Sequence, residues 1–184
     1  MLLLVGCGSS LGTTDAVDGA GQGSGTVLTV NFEVTGDAAF SGSTTEGPLS
    51  AAGSLTPISC PEFAQGYLQQ SDSADGTVTA RIFSFPALLA SDPIGGATVL
   101  VNVGVFRYPG PGTYTKRQLT GIPGEVALIV NGTVFSPNSD NPDSTLVIEA
   151  DGSGSWTFPH LEALGSGENR GNSISGTMTW TCHD

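Results

Sequence analysis

Apolar and polar residues alternate along much of the chain, a pattern that predicts β-strands with one buried face and one solvated face. The alternation is most regular over residues 173–182. One face carries Ile174, Gly176, Met178, Trp180 and Cys182, and the other carries Ser173, Ser175, Thr177, Thr179 and Thr181. This segment is therefore predicted to be a strand that carries Cys182 into the core.

Five further segments alternate in the same way and are predicted to be strands. They are residues 28–34, 77–83, 99–106, 126–135 and 145–150. Turn-forming dipeptides punctuate the chain: Asp75-Gly76, Asp92-Pro93, Gly95-Gly96, Asn131-Gly132, Asn141-Pro142 and Asp151-Gly152. Only Pro61 to Gln70 is predicted to form a helix. Short strands separated by turns predict an all-β fold, a single antiparallel β-sandwich over residues 26–184.

The charge of the chain limits its partners. It has 17 acidic residues and only five Lys or Arg, which give a net charge of −12. Phosphate backbones repel such a protein, so we predict no nucleic-acid partner. Ionic attachment to an anionic membrane surface is disfavoured for the same reason. Any membrane anchor is therefore expected to be a lipid, and stable anchoring needs more than one acyl chain.

The first residues suggest such an anchor. Leu4-Val5-Gly6-Cys7 has a bulky apolar residue, two small or medium residues and a cysteine, in that order. The motif resembles a bacterial lipobox, in which the cysteine thiol takes a diacylglycerol and becomes the mature N-terminus. The resemblance implies a lipidated Cys7 on the extracytoplasmic face of a bacterial membrane. The alternative is a short apolar N-terminus with a chance cysteine.

The lipobox divides the N-terminal region into two parts. Residues 1–6 lack a basic start and the apolar run of roughly 7–15 residues that signal peptides have, so we interpret them as a truncated signal segment. Residues 7–25 begin with the lipidated cysteine and are rich in Gly, Ser and Thr. Such a composition predicts a flexible, disordered tether between membrane and domain.

The remaining cysteines form an even pair. With Cys7 assigned to the lipid, Cys60 and Cys182 are left, and an even pair in an exported protein indicates a disulfide. Their separation would close a long loop, worth at most about 4–5 kcal/mol in the chain-entropy model. The alternative is two free buried thiols.

The segment from Arg107 to Arg117 concentrates basic and aromatic residues around a Pro-Gly-Pro-Gly turn. It contains three of the five basic residues and two of the three tyrosines, Tyr108 and Tyr114. Tyrosine faces beside guanidinium groups can stack on sugar rings or bind an anionic group. Arg107, Tyr108, Tyr114 and Arg117 are therefore candidate ligand-binding residues. The alternative is a structural turn whose tyrosines pack against neighbouring strands.

Two short motifs carry a second resemblance. Tyr108-Pro-Gly-Pro-Gly-Thr-Tyr114 and the closing Ile174-Ser-Gly176…Trp180-Thr-Cys182 resemble a loose group of small exported bacterial β-sandwich proteins, many of them lipoproteins. That group has no established activity. The resemblance supports export and the fold, and it implies no catalytic residue.

Motifs for catalysis and metal binding are weak, and we predict no catalytic residue, cofactor or metal. The chain has no His-Glu-x-x-His motif. His160, near Glu162, and His183 are interpreted as solvated. Calcium-type oxygen ligands occur without the helix–loop–helix spacing, at Asp72, Asp75, Asn138, Asp140, Asn141, Asp143 and Asp151. A carboxylate pair for glycoside hydrolysis comes together only in three dimensions, so an envelope hydrolase stays open.

The sequence as a whole predicts a non-catalytic cell-envelope lipoprotein that presents a disulfide-stapled β-sandwich on the membrane surface. Its expected partners are the membrane, through the lipid anchor, and an envelope glycan or protein. The alternative function is a glycan-binding module that uses a Tyr108–Arg117 hairpin.

Overall fold

The structure is a computed structural model that describes residues 25–50, 56–73, 76–86, 93–121, 126–138, 144–165 and 169–184, with the backbone alone at 71–73 and 76–78. The predicted signal segment, Cys7 and nearly all of the predicted tether lie outside the described residues. Every strand pair within the described ranges is antiparallel. The predicted all-β, antiparallel fold is confirmed.

Thirteen strands, one α-helix and one 3-10 helix make up the described part of the chain. In chain order they are β1 (Val27–Gly36), β2 (Phe40–Glu46), α1 (Cys60–Gln65), β3 (Tyr67–Ser73), β4 (Gly76–Ser84), β5 (Val99–Asn102), β6 (Gly104–Phe106), β7 (Gly112–Thr115), the 3-10 helix Lys116–Gln118, β8 (Leu119–Thr120), β9 (Ala127–Val130), β10 (Thr133–Ser136), β11 (Thr145–Ile148), β12 (Gly154–Ala163) and β13 (Ser173–His183).

The strands form two sheets within the described ranges. The larger sheet has the order β2-β1-β13-β12-β10-β9-β5, and β12 also pairs with β11, which in turn pairs with β7. A β-bulge between Phe158 and Leu161 interrupts the pairing of β12 with β13. The smaller sheet has the order β3-β4-β6-β8.

One hydrophobic core fills the space between the sheets. Trp156 and Met178 are fully buried, and Trp180 and Phe85 are nearly so. Phe85, which follows β4, packs edge-on against Trp180 of the larger sheet, with ring centroids 4.9 Å apart. Burying one such side chain stabilises the fold by about 1.5–3 kcal/mol. The predicted burial of one face of the 173–182 segment is confirmed, with Ile174, Met178 and Trp180 in the core.

The predicted strand at 99–106 is two strands, which belong to different sheets. The chain passes from β5 in the larger sheet to β6 in the smaller sheet at Val103, whose carbonyl accepts a hydrogen bond from Phe85 N at 2.9 Å. Gly104 permits this passage, because a Cβ there would lie 2.4 Å from the carbonyl oxygen of Phe83. Continuous alternation in the sequence therefore hides a change of sheet.

The predicted strand at 126–135 is instead a hairpin of β9 and β10. Asn131 and Gly132 have φ values of 50° and 81°, in the left-handed region that a tight two-residue hairpin turn requires. Thr133 then pairs with Val130 across the turn. The Asn-Gly turn signal is confirmed, and the uninterrupted strand is wrong.

The predicted helix at 61–70 is shorter than expected. Ser59 caps α1: its hydroxyl accepts a hydrogen bond from Glu62 N, while the Glu62 carboxylate accepts one from Ser59 N. Gly66, with a φ of 66°, ends the helix, and Tyr67 already begins β3. A capping box and one glycine therefore define the helix. No helix in the described residues is long and apolar enough to span a membrane.

Candidate functional site

A cleft of about 400 Å³ opens between the end of β2, α1 and the end of β4. Its floor is apolar and buried, and consists of Leu49, Phe63, Phe83 and Phe85. Phe63 and Phe83 contact each other with ring centroids 5.2 Å apart. Binding sites for small organic molecules have this combination of moderate volume, concave shape and an aromatic lining.

Glu46 places a carboxylate at the edge of this apolar floor. It pairs with Leu28 across β1 and β2, and directly opposed residues in antiparallel strands share one face of the sheet. Because Leu28 is fully buried, Glu46 points toward the core side of its edge strand. Burial raises the pKa of the Glu46 carboxyl group. No described residue forms a hydrogen bond or ion pair with that carboxyl group.

Glu62 is the second carboxylate that lines the cleft, and it is already engaged. Its Oε2 accepts hydrogen bonds from Ser59 N and Ser59 Oγ, each at 2.8 Å. The backbone hydrogen bond, followed by the hydroxyl, lowers the pKa of Glu62. Within the described part of the chain, the cleft thus contains two carboxylates: Glu62 caps a helix, and Glu46 has no hydrogen-bond or ion-pair partner.

Tyr67 contributes a half-buried aromatic ring to the wall of the cleft. Burial raises the pKa of its hydroxyl, so the group stays neutral at physiological pH. No Lys or Arg is among the residues that line the cleft in the described part of the chain. The site therefore combines negative charge with aromatic surface.

The tyrosines predicted to bind a ligand do not face solvent. Tyr108 and Tyr114 are 2% and 3% exposed, and their ring centroids lie 5.5 Å apart inside the core. Neither ring offers a free face to a sugar, so the prediction of a tyrosine stacking surface is wrong. Arg107 and Arg117 are exposed, and the guanidinium of Arg107 lies 5.9 Å from the ring centroid of Phe106.

The predicted Tyr108–Arg117 hairpin is also wrong, because the segment crosses from one sheet to the other. It leaves β6 of the smaller sheet and enters β7, which pairs with β11 of the larger sheet. Tyr108 holds the crossing in place by donating from its hydroxyl to Ala64 O at 2.7 Å, and Tyr114 donates to Gly110 O. Buried hydroxyls need such partners, which is why these rings can lie inside. The structural alternative accounts for both tyrosines.

Cys60 and Cys182 form a disulfide, with Cα atoms 5.7 Å apart. The predicted pairing is confirmed, and it joins α1 to β13. Asp184 adds to this corner, because its Oδ1 accepts hydrogen bonds from Cys60 N at 2.8 Å and Thr26 Oγ1 at 2.7 Å. Both ends of the described domain therefore meet at the disulfide.

A second polar cluster lies near the bulge in β12. His160 Nε2 is 3.3 Å from Glu162 Oε1, and Asn138 Nδ2 donates to Glu162 Oε2. Lys116 donates in turn to the backbone carbonyl of Asn138 and borders a shallow cavity of about 390 Å³. These side chains therefore contact one another and the backbone of Asn138.

The calcium-type residues fall in several places. Asp75, Asp140, Asn141 and Asp143 lie outside the described residues, and the side chain of Asp72 does too. Asp151 Oδ1 accepts a hydrogen bond from Ser153 N at 2.9 Å, as a turn residue does. Among the described residues, no three His, Cys, Asp or Glu side chains are grouped as metal ligands would be.

Comparisons with known proteins give no match. No family model matches the chain, and no curated protein or solved structure matches it.

Sequence reasoning missed this cleft. Its main carboxylate, Glu46, lies at the end of β2, and the sequence analysis did not predict β2 as a strand. The inner face of that strand carries Phe40, Gly42, Thr44 and Glu46, which lack a regular apolar pattern. The one available signal was the capping box at Ser59 and Glu62, which marks the start of the helix beside the cleft.

Proposed function

We propose that the protein is a bacterial cell-envelope lipoprotein, anchored through a lipidated Cys7, which presents a non-catalytic, disulfide-stapled β-sandwich on the extracytoplasmic face of the membrane. Its partners in this proposal are the membrane lipid and an envelope component. The tether of residues 7–25 separates the domain from the bilayer.

The Cys60–Cys182 disulfide is the observation that carries the proposal. Disulfides persist in oxidising compartments outside the cytosol, which favours an exported protein. The pair also leaves Cys7 as the one cysteine without a role in the domain. A lipobox gives that cysteine a function and export gives the pair its oxidant, so the two interpretations support each other.

The position of the disulfide fits a tethered domain. The described chain enters β1 beside the disulfide, where the side chains of Thr26 and Asp184 are hydrogen-bonded. The tether therefore joins the domain at its cross-linked corner. A non-catalytic role is favoured because Glu62, one of the two carboxylates in the cleft, is bound by Ser59.

The proposal predicts that fatty acid is attached to Cys7. When the gene is expressed with its native upstream region in a bacterial host fed an alkyne-labelled fatty acid, wild-type protein is expected to be labelled and to sediment with membranes. Cys7→Ser should lose both properties. Cys60→Ser with Cys182→Ser is the matched control and should retain the label. Labelling that survives Cys7→Ser, or its absence from wild type, contradicts the proposal.

A further inference from the structure

The cleft between β2, α1 and β4 has the dimensions of a site for a small ligand. Its volume of about 400 Å³ falls within the range of small-molecule sites, near the lower end. The buried rings of Phe63, Phe83 and Phe85 form an apolar floor, and Tyr67 stands at the wall. A compact apolar or aromatic body fits these surfaces.

The charge of the cleft determines whether the polar group of such a ligand is a cation or an anion. Glu46 and Glu62 are the charged residues that line it within the described part of the chain, and both are acidic. Ser59 already donates two hydrogen bonds to Glu62 Oε2, whereas Glu46 has no hydrogen-bond partner among the described residues, so we assign the pairing with a ligand to Glu46. The net charge of −12 adds a negative field over the whole molecule. Anions are therefore repelled, and cations are attracted.

The surroundings of Glu46 make a cation especially effective. Its carboxylate has lost part of its hydration at the edge of an apolar floor, and burial raises its pKa. An ammonium group placed there would restore the lost interaction, and in a partly desolvated site an ion pair is stronger than on an open surface. The Tyr67 ring can add a cation–π contact.

We propose that this cleft binds a small organic cation, which consists of an ammonium group attached to a compact apolar body. Glu46 is the counter-ion of the ammonium group, and the apolar body packs against Phe63, Phe83 and Phe85. This site goes beyond the proposed anchoring and does not depend on it.

The other role available to Glu46 is protection of a sheet edge. An inward-pointing charge on an edge strand discourages pairing with a second chain. That role predicts no dependence on ligand charge. It also predicts that Glu46→Gln self-associates, so the two accounts differ in what each experiment measures.

Calorimetric titration at about pH 7.5, where alkylamines are protonated, tests the proposal. The protein is the full chain with the Cys60–Cys182 disulfide intact and with Cys7→Ser, so that lipid and detergent do not compete for the cleft. The probes are alkylamines and arylalkylamines of graded size, including 2-phenylethylamine, each matched with its alcohol and its carboxylate. At least one amine is expected to bind about tenfold or more tightly than its alcohol, and the carboxylates least.

Glu46→Gln keeps the shape of the side chain and removes its charge. It should weaken amine binding by about tenfold or more and leave alcohol binding unchanged. Glu33→Gln, at an exposed position of β1, removes the same charge elsewhere and should leave the amine Kd unchanged.

Three results would overturn the proposal. They are no binding of any amine in the series by the folded wild-type domain, equal binding of amines and alcohols, and a preference for amines that persists in Glu46→Gln. The comparison of amine with alcohol uses only the Cys7→Ser protein with its cleft unaltered, so it decides the matter even if a Glu46 variant is unstable.

Discussion

Glu46 shows how one residue can oppose folding while preparing a site. Its carboxylate lies on the core-facing side of β2, opposite the buried Leu28, without a cation or donor among the described residues to compensate for lost hydration. Because burial raises its pKa, the folded chain holds the Glu46 proton more tightly than the unfolded chain does. Ionisation of Glu46 therefore costs stability in the absence of a ligand.

This predicts a pH-dependent gain for Glu46→Gln. Near pH 3, Glu46 is protonated in both the folded and the unfolded chain, so the wild-type protein pays no cost for a buried charge. As pH rises through the raised pKa, the free energy of unfolding of the wild-type protein falls, because the unfolded chain releases the Glu46 proton more readily than the folded chain does. The free energy of unfolding of Glu46→Gln, relative to wild type, should therefore rise between pH 3 and pH 7 in urea titrations. Glu33→Gln controls for net charge, and a flat or falling difference would contradict the account.

At the scale of elements, the predicted strands succeed where burial is one-sided. The 173–182 segment has one face in the core, so its alternation marks the strand correctly. The 99–106 segment alternates without interruption because each half faces the same core from a different sheet. The alternation in that case reports burial alone, and the change of strand partner at Val103 is marked in the sequence by Gly104, where a Cβ would not fit.

The cleft itself could not be predicted from the sequence. The carboxylate of Glu46 lies on the larger sheet, Phe83 lies on the smaller sheet, and Glu62 lies on the helix between β2 and β3. Only the packing of these elements against one another brings the three residues together. The tyrosines of the Pro-Gly-Pro-Gly segment were visible, but an aromatic residue beside a turn has the same sequence pattern whether it is buried or exposed. The hydroxyl of the buried Tyr108 donates a hydrogen bond to Ala64 O, and Ala64 lies 44 residues earlier in the sequence.

Two glycines with similar backbone conformations test how turns and packing contribute to element boundaries. Gly132 and Gly152 have φ values of 81° and 84°, but a Cβ at Gly132 would meet no atom within 4 Å. A Cβ at Gly152 would lie 2.6 Å from Cys60 O and 3.2 Å from Cys182 Cβ. Gly132→Ala should therefore cost only the backbone strain, about 1–2 kcal/mol of unfolding free energy.

Gly152→Ala should lower the free energy of unfolding clearly more than Gly132→Ala does, because the added methyl group also displaces the backbone beside the disulfide. The carbonyl of Gly152 accepts a hydrogen bond from Trp180 Nε1 at 2.8 Å, so the displacement extends into the core. Chemical unfolding of both variants measures the difference. If both variants lose the same free energy of unfolding, the predicted clash of the new methyl group with Cys60 O is contradicted.

At the scale of the whole molecule, the disulfide cross-links α1 to the C-terminal strand β13, at the corner where Thr26 hydrogen-bonds to Asp184. It joins residues 122 positions apart and contributes up to about 4–5 kcal/mol by restricting the unfolded chain. The same corner includes Thr26, where the proposed tether would meet β1. The proposed anchor, the tether and the cross-link therefore follow one another along the chain, and the cleft belongs to the domain they present.

The chemical state of all three cysteines tests the central claim most directly. Protein purified from membranes of the producing cell is alkylated without reduction, digested and analysed by mass spectrometry. The account predicts a peptide that begins at Cys7 and carries a diacylglycerol, together with a cross-linked pair of peptides joining Cys60 to Cys182. An alkylated, unmodified Cys7 within a longer N-terminal peptide, or alkylated thiols at Cys60 and Cys182, would contradict it.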